Sequence, residues 1–421
     1  MYEIDQDDAV RYCAFNYRRL RCPAVDGRIR CRCRYVFGRR NYRTNPLPKR
    51  IFQQRVSDQF KFIEGSGRTA FSLSFAEREH PLSNGQGVFL LSLKSRGNCD
   101  IIYIIYLKKS IERVIMNQEN SLPYRDLNTF LRQRFGKKVY KISLSTPFTC
   151  PNRDGTLGTG GCLFCSASGS GNFAAAASLP LEQQLEEGKA RVRGKIRDKE
   201  YGFIAYFQSF SSTYGDIRIQ RDLFTRAISD PEVVALSVAT RPDCLPPEVL
   251  DLLQELSRIK PVWVELGLQT AKEETVKLIR RGYDNTVYEK ALCDLNARGI
   301  EAVVHLIVGL PGETHEDEIA SLRYATQFPV QGVKFHLLHV LAGTDLAKMP
   351  YQALTMEEYV SRVTDLVRYV PEDVVIHRLT GDGDKRELIA PLWSGDKKRV
   401  LNAISAAFRQ SGIRQGEALK K

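Results

Sequence analysis

The stretch Cys150-Pro-Asn-Arg-Asp-Gly-Thr-Leu-Gly-Thr-Gly-Gly-Cys162-Leu-Phe-Cys165 decides how this chain is read. It places three thiols on a glycine-rich loop, with eleven residues and then two between them, directly after the strand-like run VYKISLS at 139–145. Three soft ligands with no near fourth suit an iron–sulfur cluster that leaves one iron open to another molecule. A structural zinc site is the alternative, and such sites normally close with four ligands. The next cysteine, Cys244, lies 79 residues further on and the next histidine is His305, so a fourth ligand would have to come from far along the chain.

Working outward, Leu127, Phe130, Leu131 and Phe135 recur at helical spacing before the first strand, and the small-residue stretch 174–177 links the loop to an amphipathic helix marked by Leu181, Leu185, Val192 and Ile196. Strands then alternate with helices. The strand candidates are 202–208, 233–239, 262–268, 301–308 and 333–340, and the helix candidates 218–229, 247–258, 272–281, 286–298, 315–327 and 356–369. Six strands alternating with helices predict a parallel α/β sheet with right-handed crossovers, most economically a partial (βα)6 TIM-type barrel with ligands at the carboxyl ends of its strands. A doubly wound open sheet is the alternative. The barrel is assigned to 116–370. An α/β extension, 371–421, follows it and is expected to cover the barrel mouth; it contains the apolar run 374–376 and a helix over 396–409.

The net charge of +13 is unevenly spread. Residues 1–115 hold 22 Lys and Arg against 11 Asp and Glu, whereas the remaining 306 residues hold 40 against 38. Twelve arginines lie between Arg11 and Arg50, and Cys13, Cys22, Cys31 and Cys33 are scattered among them without metal-finger spacing. This segment is expected to be a disordered extension or the product of a mis-assigned start, with a basic arm gripping RNA phosphates as the functional alternative. The longest strongly apolar run, 101–107, is too short to span a bilayer, and the acidic N-terminus is unlike a signal peptide, so a cytoplasmic protein without a membrane partner is expected. A reducing compartment also keeps thiolates available for metal.

Polar residues gather where the strands end. Gln208, Ser209 and Tyr214 follow the second strand and suit the amino group of a bound amino acid, while Arg241 after the third suits a carboxylate. Glu265 points inward from the fourth, which ends in Gln269-Thr270. Gly309 and Gly312 form a turn that would let backbone groups approach a planar ligand. Lys334, His336 and His339 lie on the sixth, and His377, Arg378 and Asp382 lie on a segment that is either a site-facing loop or a plain surface turn.

With these landmarks the sequence resembles the radical S-adenosylmethionine (SAM) superfamily, and within it the YhcC/YtqA family, related to the radical domain of the Elongator catalytic subunit. The resemblance covers about 122–416 and rests on CPNRDGTLGTGGCLFC (150–165), FIAYFQ (203–208), SVATRPDCLP (237–246), VELGLQT (264–270), HLIVGLPGET (305–314), LLHVLAGT (337–344), HRLTGDG (377–383) and PLW (391–393). It implies a [4Fe–4S] cluster held by Cys150, Cys162 and Cys165, SAM on the fourth iron with Phe164 beside its adenine, and reductive cleavage of SAM to a 5′-deoxyadenosyl radical. A reduced flavodoxin or ferredoxin type donor would supply the electron. The implied substrate is tRNA, on the route to 5-aminomethyl-2-thiouridine at the wobble position; a small metabolite or a protein is the alternative within enzymes, and a non-catalytic iron–sulfur or zinc RNA-binding module the alternative outside them. Two features depart from the family pattern: Tyr283 stands in Arg281-Gly-Tyr283 where Arg-Gly-His is usual, and the stretch after Thr344 is short.

Overall fold

A computed structural model of the chain describes residues 122–169, 171, 174–381 and 383–420, and the backbone of three strands within 72–104. The chain divides into two units, Met1–Arg113 and Val114–Lys421. In the first, β1 (Ser72–Glu77), β2 (Phe89–Lys94) and β3 (Asp100–Ile104) pair as an antiparallel meander. Three short strands therefore occur where the sequence suggested none. The rest of the expected disordered segment, and the RNA-gripping arm read into it, lies outside the described residues.

The second unit opens with α1 (Leu127–Phe135). Asp126 caps its first turn by accepting from the Asn128 and Thr129 amides, and Gly136 ends it at φ 65°. Strand and helix then alternate through β4 (Lys138–Leu144), α2 (Leu181–Arg193), β5 (Tyr201–Phe207), α3 (Ile217–Ser229), β6 (Val233–Thr240), α4 (Pro247–Ser257) and β7 (Val262–Gln269). The short α5 (Glu273–Leu278) and α6 (Asn285–Ala297) precede β8 (Glu301–Val308), α7 (His315–Thr326), β9 (Gly332–Leu337) and β10 (Val340–Leu341). The chain closes with α8 (Met356–Val367), β11 (Val375–Arg378), β12 (Leu388–Ala390) and α9 (Lys397–Ser411).

Seven strands form one parallel sheet in the order β11-β9-β8-β7-β6-β5-β4, curled into a half-barrel. The expected count was six. The seventh strand comes from the segment assigned to the extension: Val375 and Ile376 pair with Gly332 and Val333 at the sheet edge. Two further boundaries moved. The helix expected to reach 281 stops at Leu278, where Arg280 at φ 55° and Gly282 at φ 82° turn the chain toward the cysteine loop. The strand expected to reach 340 breaks after Leu337, and Val340–Leu341 pairs instead with β12.

Strands in this sheet are buried on both faces, which is why they read as near-continuous apolar runs. Outward-pointing Leu144, Phe203, Phe207, Leu236, Val238, Val264 and Leu266 form the main core beneath the helices. Inward-pointing Val139, Ile204, Ala235, Trp263 and Val303 make an apolar floor, sealed by Leu131 of α1 with Leu127, Phe130 and Phe135 packed alongside. Helix α1 bridges the first and last strands, contacting both β4 and β11. Among the described residues no helix is long and apolar enough to cross a membrane.

Candidate active site

One pleat above the floor, the inward positions become polar: Lys141, Tyr206, Ser237, Glu265, His305 and Lys334. Glu265 is fully buried. Its Oε1 accepts from Lys141 Nζ at 2.5 Å and Ser237 Oγ at 2.6 Å, while Oε2 is bonded by Lys334 Nζ and lies 2.8 Å from His305 Nε2. Burial opposes its charge, but Lys141 and Lys334 outweigh burial and hold the carboxyl well below the usual range. Glu265 therefore points inward as expected, yet both its oxygens are filled by protein donors rather than left open for a cofactor.

Three non-glycine residues among those described adopt positive φ, namely Phe210 at 53°, Gln269 at 64° and Arg280 at 55°. They follow β5, end β7 and flank the cysteine loop. Backbone strain is thus concentrated at the C-terminal rim, as is common around functional sites.

The cysteine loop is held there by its own backbone and by the chain after α5. Leu163 N donates to Ile279 O at 3.0 Å, and Asn152 Nδ2 donates to Arg280 O at 2.7 Å and Arg281 O at 3.2 Å. The same amide nitrogen lies 3.4 Å from Cys162 Sγ. A Cβ on Gly282 would come within 2.5 Å of Asn152 Oδ1, so this close approach, together with φ 82°, requires glycine. Arg153 reaches back to the carbonyls of Cys165 at 3.0 Å and Ser166 at 2.5 Å.

Cys150, Cys162 and Cys165 are unbridged, half-buried thiols on this loop. Burial pushes Cys162 up to about 11, with Cys165 adding to the shift and Arg241 and Asn152 opposing it. Cys165 is also raised by burial, against Arg153. A hydrogen-bond donor beside Cys162 Sγ and the Arg153 and Arg241 guanidiniums near the loop suit thiolates that would hold an anionic cluster.

The other expected residues divide into three groups. Near the loop, Tyr214 shares a 2.8 Å hydrogen bond with Thr156, Phe164 packs with Leu163, Ile279 and Leu310, and the buried Ser209 hydroxyl has no partner among the described residues. Gln208 accepts from Ser143 at 3.1 Å. A second group is committed to protein partners. Arg241 forms a fork to Asp243 at 2.9 and 2.6 Å, donates to Arg281 O at 2.8 Å and stacks over the buried Tyr283 ring at 4.9 Å. Gln269 folds its amide back onto the carbonyls of Gly267 and Leu268. Gly309 donates to Glu318 and accepts from Tyr351, and a Cβ there would meet Leu354 at 3.0 Å. Its φ of 86° calls for glycine and protein packs beside it, while Gly312 (φ 77°) accepts from Lys272 at 3.1 Å.

The third group lies on β9 and β11 and the segments that follow them. His377 belongs to β11 and packs edge-on against Trp263 at floor level, bonded to Gln331 at 2.8 Å. Arg378 is opposite Lys334 in the polar layer, and His339 lies under the Gly381 turn. Neither histidine is on an open loop; Asp382 lies outside the described residues. His336 stacks beside His305 with ring centroids 5.0 Å apart. Sequence reading missed Asn152, Arg153, Lys141 and Ser237. A lysine at an inward position of a strand otherwise buried on both faces was the available signal for Lys141; nothing local marked the others.

Residues 149–325 match the model of the radical SAM superfamily, and 330–410 that of the radical SAM C-terminal domain. The chain is 40% identical to YtqA of Bacillus subtilis (strain 168) over 317 residues, 73% of this chain and 98% of that protein. It is 35% identical to YhcC of Escherichia coli (strain K12) over 294 residues, 69% and 93% of the two chains. A stretch of 160 residues is 30% identical to a tRNA uridine(34) acetyltransferase of Dehalococcoides mccartyi (strain CBDB1), covering 35% of this chain and 33% of that one. In fold, the chain resembles Elp3 of Methanocaldococcus infernus with TM-score 0.52 at 18% identity, over 66% and 64% of the two chains. These matches show that the chain is a radical SAM enzyme and belongs to the radical SAM superfamily.

Proposed function

We propose that Cys150, Cys162 and Cys165 hold a [4Fe–4S] cluster and that the protein acts in the cytoplasm on a wobble uridine of tRNA, on the 5-aminomethyl-2-thiouridine route, with a flavodoxin or ferredoxin type electron donor. The observation that carries the cluster assignment is a loop of three unbridged thiols buttressed by Arg153 and by Asn152, whose amide lies beside Cys162 Sγ. When bound, cluster and SAM supply a 5′-deoxyadenosyl radical, the cofactor's own chemistry. The chain's part is to position and to shield. Ser209, with its buried free hydroxyl, and Tyr214 face the loop from the end of β5, and Phe164 supplies an apolar surface within it. Residues 379–395, between β11 and α9, are read as the cover that keeps water from the mouth.

The tRNA assignment rests on the partial likeness to a tRNA uridine(34) acetyltransferase. The near balance of 40 basic and 38 acidic residues after residue 115 instead favours a small metabolite or a protein substrate, because RNA binding draws on surplus positive charge. Anaerobic reconstitution tests the chemistry: the wild type is expected to bind iron, absorb near ~400 nm and yield 5′-deoxyadenosine on reduction. Cys165→Ser is expected to abolish 5′-deoxyadenosine formation, and retained turnover would refute the ligand assignment. Nucleoside analysis of tRNA from a strain lacking the protein tests the substrate; unchanged wobble uridines would remove tRNA.

A further inference from the structure

Among the described residues, the polar layer sets one carboxylate, Glu265, against the ammoniums of Lys141 and Lys334, with Arg378 opposite Lys334 on the next strand. Lys141 and Lys334 form their ion pairs with Glu265 alone among the described residues, and Glu265 already has four partners. Their other contacts are uncharged: both lie over the Tyr206 ring, at 4.8 and 4.6 Å, Lys334 Nζ donates to the Tyr206 hydroxyl at 3.4 Å, and Lys141 lies 5.9 Å from the Trp263 ring centre. His305 and His336 add no negative charge; burial keeps both neutral, with His305 pushed down to about 4. Charge buried inside a protein is costly. That cost appears at Lys334, which burial and then its neighbour Lys141 drive down to about 7 despite Glu265.

The layer is also reachable. The Lys141 side chain is 17% exposed and that of His305 18% exposed. Below them, Trp263, Val303, Ile204 and α1 seal the floor, so approach is from the rim where the cysteine loop lies. Next to His305, the buried Nε2 of His336 has no hydrogen-bond partner among the described residues.

We infer that this layer receives an anionic group of the substrate, a carboxylate or a phosphate, which enters from the rim and supplies counter-charge to Lys141 and Lys334, with His336 as a further hydrogen-bond partner. The inference rests on the rim being the substrate entrance, as in the function proposed above. It also gives Glu265 a defined task, which is to hold both lysine side chains at a fixed height in the layer.

The test uses the full chain with neither SAM nor RNA, so its failure leaves the radical chemistry standing, and failure of SAM cleavage leaves the anion site standing. Thermal unfolding is followed against sodium acetate and against inorganic phosphate, at constant ionic strength set with sodium chloride. Wild type is expected to show a saturable rise of about 2–4 °C with at least one of the two probes. Acetate alone acting identifies a carboxylate, and phosphate alone a phosphate. Lys141→Met removes one of the two ammoniums that Glu265 pairs. It is expected to abolish the rise and to melt no lower than wild type without a probe; Lys334→Met is the second variant should the first fail to fold. No saturable rise in wild type, or an equal rise in either folded variant, overturns the inference.

Discussion

The floor of the half-barrel and the layer above it are made by the same strands one pleat apart. Val139, Ile204, Ala235, Trp263 and Val303 of the floor are followed two residues later by Lys141, Tyr206, Ser237, Glu265 and His305. The floor is held by apolar burial and dispersion, the layer above by charge. The change falls where the cover of α1 ends, so a single helix at the closed end lets the next pleat be polar. The two layers should therefore fail differently. Trp263→Ala leaves a void and is expected to cost about 3–5 kcal/mol. Glu265→Ala removes the carboxylate that pairs both lysines and is expected to cost a similar ~3–5 kcal/mol where both are protonated. Only the second should ease as pH rises, because without Glu265 Lys334 falls below its value of about 7 and the extra cost fades once it is neutral. Urea unfolding near pH ~5.5 and near pH ~8, each against wild type, separates them. Equal recovery in both would show that charge is not what distinguishes the layers.

His305 sharpens the contrast with a smaller effect. Its folded pKa is depressed to about 4 by burial, then Lys334, with Glu265 opposing and Lys141 adding to the shift. Between pH 4 and the ordinary value of 6.5 the unfolded chain therefore binds a proton that the folded chain does not. The stability this contributes is present above 6.5 and is lost as pH falls toward 4, by about 2–3 kcal/mol across the window. In His305→Asn that part of the acid slope should disappear. A Trp263 variant should keep it, since the floor carries no titrating group beyond the buried His377 at its edge.

The sequence displayed the outer face of this barrel well and its inner face only in part. Alternation and run length placed β4 through β9 within a few residues, because each strand is buried on both sides and cannot be anything else. The seventh strand, Val375–Arg378, was too short to stand out, and its last two residues are polar side chains that read as a loop. Trp263 and Glu265 two apart predict one face but not what meets them there: Lys141 reaches Glu265 across 124 residues of chain. The cysteines, in contrast, were legible at once, because three thiols at that spacing have few other uses. Gly309 shows the converse. A glycine turn fits close approach to a ligand or to protein, and here Leu354 and Tyr351 pack beside it.

At the rim the gradient continues, and its weakest interaction is the most informative. Asn152 is 5% exposed, and its amide nitrogen faces two carbonyls, those of Arg280 and Arg281, as well as Cys162 Sγ. Flipping the amide would set its oxygen against both carbonyls, so the donor is locked toward the sulfur. A neutral donor thus stands beside Cys162, one of the proposed cluster ligands. A donor on a ligating sulfur stabilises the more negative, reduced cluster and raises its potential. Asn152→Ala is therefore expected to lower the midpoint potential of the reconstituted protein while leaving iron content unchanged, at a stability cost of only about 1 kcal/mol. Asn152→Asp should lower it further, since an acceptor then faces the thiolate. If the potential stays put while stability falls, Asn152 only pins the chain after α5, and the rim resembles the floor more than the layer between them.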